Sequence, residues 1–191
     1  DEVVLTAGAA TAGLLGTAGI SLPIRPKTVY GGSCYLAAPT RDWIPFLDSA
    51  HRLFAMPRDG YVQIAVGPGA APSYDEDGSG ADLERLDQGL ARIGQRIPAM
   101  AAARDARIWA GVDGFTDDNK GVYGRVPGTA GLSIIAGASQ KGLKVAPAVG
   151  SRLAALLVTG EDPFAGGPFA ASRFDEQFAQ HTASGGYGDL E

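Results

Sequence analysis

The sequence predicts an α/β fold with an α+β insertion, in which an α/β unit near each end of the chain brackets a β-rich middle. Three observations predict it. Val3-Val4-Leu5 is a short apolar run that stops at Gly8 and leads into a small-residue helical turn from Ala10 to Leu15, the strand–glycine–helix order of an α/β sheet. The same order returns at Leu132 to Ala136, a strand, followed by a glycine-punctuated loop over 137–142 and a helix over about 145–158. Between these, two strand–turn–strand signals flank one amphipathic helix, the grammar of an antiparallel sheet with a covering layer.

The elements follow in order. Pro23 and Pro26 mark the exit from the first unit. Thr28 to Leu36 is β-branched and aromatic and reads as a strand, with Gly31-Gly32 as a candidate bulge. Residues 43–54 carry no clear period. Arg58-Asp59-Gly60 is a turn into the strand from Tyr61 to Val66. A loop of Gly, Pro, Ser and acidic residues occupies 67–80, and its Asp75-Glu76-Asp77 run reads as solvated. Leu83, Leu86, Leu90, Ile93 and Ile97 recur at helical spacing until Pro98 ends the helix. Asp105 to Val112 is a further strand, and 114–131 is rich in turns. In the helix over 145–158, Leu153, Leu156 and Leu157 fall on the predicted buried side. The reading divides the chain into 1–22 with 114–175, a middle domain of 23–113, and a tail of 176–191. The opening strand reads as buried, the expectation for a strand that something precedes. Leu190-Glu191 has the look of a vector-derived ending and is set aside.

Composition excludes several functions. An apolar fraction of 45% with 19% charged residues is that of a globular chain. A net charge of −5 with scattered basic residues argues against nucleic acid and anionic membranes. No apolar run reaches the ~20 residues of a membrane span. One cysteine, Cys34, forms no internal disulfide, and His51 and His181 are too far apart for a zinc motif, so no metal site is expected. A reducing, cytoplasmic setting follows as the default, and His51 and Cys34 read as a surface and a small core residue. No Ser/His/Asp triad pattern or paired-carboxylate signal rises above background.

The most informative stretch is Ile134-Ile135-Ala136-Gly137-Ala138-Ser139-Gln140-Lys141-Gly142-Leu143-Lys144, continuing to Gly150. It places a glycine-rich loop between a buried strand and a helix with Pro147 expected in its first turn, where a missing N–H is harmless. Free N–H groups and the positive end of the helix dipole meet there, and Lys144 adds a charge. Such a place favours an anion, or a ring that becomes anionic on reduction. A plain strand-to-helix turn with surface lysines is the other reading.

The stretch resembles the C-terminal flavin-contacting motif of the D-amino-acid oxidase, glycine oxidase and sarcosine oxidase superfamily. Gly137, Ser139, Gly142, Leu143, Lys144, Pro147 and Gly150 match it, and Gln140 stands where a glycine is usual. Further matches fall in family order over residues 1–160: Val3 to Ala9, Leu22 to Pro26, Asp59 to Ile64, and Trp109-Ala110-Gly111-Val112 followed by Asp118. The resemblance implies the C-terminal part of a Rossmann-like FAD-binding domain with an inserted antiparallel substrate domain. The activity implied is oxidation of a C–N bond of an amine or amino acid to an imine. Rival readings are a dehydrogenase serving a non-oxygen acceptor and a non-catalytic subunit of a larger complex.

By the same resemblance, the backbone of Gly137, Ala138, Ser139, Gln140, Lys141, Gly142 and Leu143 lies against the flavin ring. Lys144 stabilises negative charge at its N1–C2=O edge. Gly8 passes near the adenosine or pyrophosphate portion. Gly111 matches the cysteine that binds FAD covalently in sarcosine oxidases, so the FAD is expected to be noncovalent. Asp113 matches a carboxylate-binding arginine; it either pairs with a substrate ammonium or is a solvated turn residue. Gln63 aligns with an oxygen-activating lysine. Tyr30, Tyr35 and Tyr61 either line the substrate cavity or pack in the core. The family's opening strand–G-x-G-x-x-G–helix unit has no counterpart in this sequence, since Gly13 and Gly16 lack a third glycine in register. A second polypeptide carrying that half is the expected partner.

Overall fold

A computed structural model describes residues 1–36, 40, 42–49, 53–66 and 83–174. Its elements in chain order are β1 (Val3–Leu5), α1 (Thr11–Thr17), β2 (Arg25–Tyr35), β3 (Phe46–Asp48), β4 (Leu53–Arg58) and β5 (Tyr61–Val66). There follow α2 (Leu83–Arg96), α3 (Pro98–Ala101), β6 (Arg104–Phe115), β7 (Val122–Arg125), β8 (Leu132–Ala136) and α4 (Gly142–Thr159). Two 3₁₀ turns, Gly8–Ala10 and Ala171–Phe174, complete them. The chain forms two compact units: Asp1–Pro26 with Asp113–Glu191, and Lys27–Val112.

In the first unit β1 pairs parallel with β8, and β8 pairs antiparallel with β7, in the order β1-β8-β7. Apolar residues from segments far apart in sequence, Leu15, Leu22, Ile24, Val122, Val126 and Ile134, form its core. A smaller cluster of Tyr123, Val149 and Phe164 packs α4. Glu2 and Arg125 pair across the ends of β1 and β7. Asp162 accepts the N–H groups of Arg125 and Phe164, each at 2.8 Å, and so ties the segment after α4 to β7.

The second unit is a five-stranded sheet of order β3-β4-β5-β2-β6. Alternation along its strands decides what is buried. Cys34, Leu53, Ala55, Val62 and Ile64 point to one face and are covered by Ile93 and Met100 of α2 and α3. Burial pushes the Cys34 thiol up to about 11.

Several expectations change. Gly31-Gly32 is no bulge, because β2 and β5 pair residue for residue from Tyr30↔Val66 to Tyr35↔Tyr61. Space there is taken by another residue: a methyl on Gly31 would lie 2.1 Å from the Trp109 ring, which would have to move. Pro98 opens α3 as well as ending α2. A strand, β7, occupies the turn-rich stretch. The last helix begins at Gly142 rather than Val145, which puts Pro147 inside α4 and not in its first turn. Its ring removes the bond that the Leu143 carbonyl would have accepted. The buried stripe of α4 is Val149, Leu153 and Leu156, whereas Leu157 is exposed. Among the described residues α4 is the one helix long and apolar enough to cross a membrane. It carries Lys144 and Arg152. The Asp75-Glu76-Asp77 run, His51 and the tail lie outside the described residues.

Candidate functional site

The loop between β8 and α4 has an unusual backbone. Gly137 (φ 62°), Ser139 (φ 50°) and Gln140 (φ 66°) are all left-handed, and two of the three carry side chains. Gly137 is fixed by space as well as by φ, since a methyl there would come 2.9 Å from the Thr116 methyl. Such a backbone persists only where its surroundings over-determine it.

The end of β6 does so. Phe115 bridges Ala138 in antiparallel fashion. The Ser139 N–H donates to the Gly114 carbonyl at 3.1 Å. The Asp113 carboxylate accepts the Gly114 N–H at 2.8 Å through Oδ1 and the Gln140 N–H at 2.6 Å through Oδ2. Ser139 is buried; its Oγ donates to the Gly137 carbonyl at 3.1 Å and accepts the Thr116 N–H at 3.4 Å. Lys141 Nζ donates to the Asn119 carbonyl at 2.8 Å, which anchors the far side of the loop.

What the loop offers outward is a set of donors. No side chain caps α4, so the N–H groups of Gly142 and Leu143 have no helix partner. Leu143 is 93% exposed and Lys144 is exposed beside it, with no acidic residue in the first turn. Dipole and ammonium have the same sign at this place. Gly8 belongs to the same neighbourhood. It is left-handed (φ 56°), and a methyl on it would meet nothing within 4 Å. Its carbonyl lies 3.4 Å from where a methyl on Gly114 would be. Three segments distant in sequence, around Gly8, 113–116 and 137–142, therefore converge. A ligand with polar edges, such as an electron-accepting ring, fits the open, donor-rich start of α4.

The remaining candidates fall in the other unit. Gly111 lies on β6, and a methyl there would touch Val29 at 3.9 Å, ordinary contact. Tyr30 shares the parity of Cys34 along β2 and is buried. Tyr61 and Gln63 alternate with the core residues Val62 and Ile64 and point to the opposite sheet face. Tyr61 meets Tyr35 with ring centroids 6.0 Å apart, and Gln63 pairs in register with Ser33 and Met56. The substrate candidates thus divide: Tyr61 and Gln63 share a face, Tyr30 does not, and Asp113 belongs to the loop assembly.

Sequence reasoning missed Gly114, Thr116 and Asn119, which hold the loop only through contacts made in the folded chain. The sequence marks Asp118 only as part of the resemblance, without its pairing to Arg173. Burial raises the pKa of that carboxyl, but hydrogen bonds from Arg173 and from the Lys120 N–H outweigh this and hold it below the usual carboxylate range.

Residues 1–156 match the family described as FAD dependent oxidoreductase. The chain belongs to that family, whose cofactor is FAD. Over 164 residues it is 32% identical to a glycine oxidase of Pseudomonas putida, covering 85% of this chain and 43% of that protein. The crystal structure of iminodiacetate oxidase from a Chelativorans species superposes with a TM-score of 0.71 at 27% identity, over 89% of this chain and 46% of the other. Glycine oxidase from Geobacillus kaustophilus superposes at 0.74 with 23% identity, over 90% and 45%, and shows the fold alone. The chain spans less than half the length of these relatives.

Proposed function

We propose that this chain is the ring-facing and substrate-facing part of an FAD-dependent oxidoreductase that oxidises the C–N bond of an amine or amino acid. The observation that carries the reading is the convergence of Gly8, 113–116 and 137–142 on one donor-rich loop. When bound, the flavin would supply the hydride acceptor; the chain's residues would position it and polarise it. The loop backbone from Gly137 to Leu143 would hold the ring. Lys144 and the start of α4 would favour the electron-rich form of whatever they face. The substrate loses a hydride from the carbon beside nitrogen while the nitrogen lone pair forms C=N, and water then hydrolyses the imine. Relatives named for glycine and iminodiacetate support a small amine or amino acid.

In this reading the 27–112 unit is the inserted substrate domain, with Tyr61 and Gln63 on its substrate side. Gly111 offers no nucleophile, so the FAD is held noncovalently. The G-x-G-x-x-G half, whether on the same polypeptide or on a second one, completes the cofactor site. Two surfaces of the first unit support this. Among the described residues β1 has a neighbour on one side only, so the Val4 N–H and C=O point away from β8, and Val3 and Val4 are exposed rather than buried as the sequence suggests. α4 carries a second apolar stripe, Leu143, Pro147, Gly150, Ala154 and Leu157, all exposed. A parallel strand followed by a helix fits both.

The dehydrogenase reading keeps one observation in its favour: Gln63 stands where the resemblance would place an oxygen-activating lysine. One experiment addresses these points. The chain co-purified with its complementary half is mixed with a panel of amines and amino acids while flavin absorbance is followed. Bleaching by a substrate with peroxide formed in air is the oxidase outcome, and bleaching with no peroxide is the dehydrogenase outcome. A complex that carries no flavin would overturn the proposal.

A further inference from the structure

Two residues at which the chain departs from the pattern it resembles, Asp113 and Gln140, touch each other. Gln140 is left-handed at φ 66°, a region that glutamine visits rarely, and it follows a second left-handed residue, Ser139. Its N–H lies 2.6 Å from Asp113 Oδ2, the shortest of the loop's hydrogen bonds given above and one strengthened by the full charge on the acceptor. The other oxygen, Oδ1, takes the Gly114 N–H, and the Gly114 carbonyl takes the Ser139 N–H. The Asp113 carboxylate thus closes a ring of two bonds between the segments, its own from the Gln140 N–H and the backbone bond from the Ser139 N–H to the Gly114 carbonyl. Both of its oxygens are engaged in orienting the loop.

We propose that Asp113 is a positioning residue whose carboxylate makes a non-glycine residue tolerable at 140, and that the two form one coupled latch on the ring-facing loop. Position 113 then grips neither a carboxylate nor an ammonium of the substrate. A glycine at 140 would occupy the left-handed conformation without strain and would hold it without the carboxylate. An arginine at 113 would leave Gln140 unsupported. The latch stands on the loop geometry, and its consequence for the cofactor rests on the reading that this loop faces FAD.

The test uses the chain in complex with its complementary half, as wild type, Asp113→Ala, Gln140→Gly and the double variant. Thermal midpoint, amide exchange across 137–142 and FAD dissociation constant are measured for each. Asp113→Ala should lower Tm by about 3–6 °C, speed exchange at the Gln140 amide, and weaken FAD by roughly tenfold. Gln140→Gly relieves the left-handed strain and sets the second background, and its own three values are the reference against which the double variant is read. In the double variant the loss caused by Asp113→Ala should fall by half or more, the signature of a coupled pair. Asp113→Asn keeps one acceptor and should fall between wild type and Asp113→Ala, which keeps the inference testable if the alanine variant fails to fold. Equal losses in both backgrounds, or no loss from Asp113→Ala, would overturn the latch. Coupling in Tm and exchange with FAD affinity unmoved would uphold the latch and overturn the flavin-facing reading instead.

Discussion

The sheet over residues 27–112 and the loop over 137–142 are built by opposite means. In the sheet, side chains decide. Cys34, Val62 and Ile64 face the covering helices because strand geometry sends alternate residues to one side, and Tyr35, Tyr61 and Gln63 take the other. In the loop, hydrogen bonds between distant segments decide. Asp113, Gly114, Thr116 and Asn119 hold Gly137 to Lys141 through backbone groups together with the polar side chains of Asp113, Ser139 and Lys141, in conformations that side-chain preference opposes. An alternating surface tolerates change on its open face. A loop held by a closed set of hydrogen bonds tolerates little at its anchors and much at its exposed positions.

The comparison breaks most visibly in the core of the sheet. Ile64 is fully buried between β-strands and α2 and α3. Ile64→Ala should therefore destabilise by about 2–5 kcal/mol, read as a shift in the denaturation midpoint. A shift of a few tenths would mean that the sheet's helix-covered face is not a packed core.

At the exposed mouth of the loop the outcome should be reversed. Lys144→Met keeps much of the side-chain volume and removes the charge from an exposed first-turn position. Stability should move by no more than about 0.5 kcal/mol, while flavin reduction by substrate slows by ~30- to 1,000-fold, about 2–4 kcal/mol. Stopped-flow reduction of the complex measures it. An unchanged rate with an unchanged flavin midpoint potential would remove Lys144 from the site.

The smallest effect expected is one of pH. Asp118 accepts from Arg173 Nε at 2.9 Å, and its carboxyl is held below the ordinary range by that bond and the Lys120 N–H despite the opposing effect of burial. A depressed carboxyl contributes stability that is present above its unfolded pKa of about 3.9 and is lost as pH falls through the lower folded value. Replacing Arg173 with Met should lower Tm slightly at pH 7 and flatten the loss of Tm below about pH 4. An unchanged acid limb would show that the pair does not anchor the turn beside the loop.

Much of this architecture was legible in local pattern. β1, β8 and the loop between β8 and α4 show as apolar runs stopped by glycine, and of the sheet β2, β5 and β6 show, whereas β3 and β4 fall where the sequence predicts no strand. Both signals act between residues a few positions apart, where apolar period and glycine freedom are properties of the chain itself. β7 was hidden because Val122-Tyr123-Gly124-Arg125 is short and carries a left-handed Gly124. It is a strand only because β8 is there to pair with it. The start of α4 was placed late because Gly142 and Leu143 follow a loop and carry no cap. The face on which Tyr30 lies followed from its register with β5, which no local pattern specifies. The role of Asp113 was the least legible, since the residue that defines it, Gln140, is 27 positions away. The sequence by itself determined where strands, glycines and the charged loop would fall. Only the tertiary structure decided which backbone groups meet, because a hydrogen bond between distant segments depends on how the whole unit closes and leaves no period in the chain.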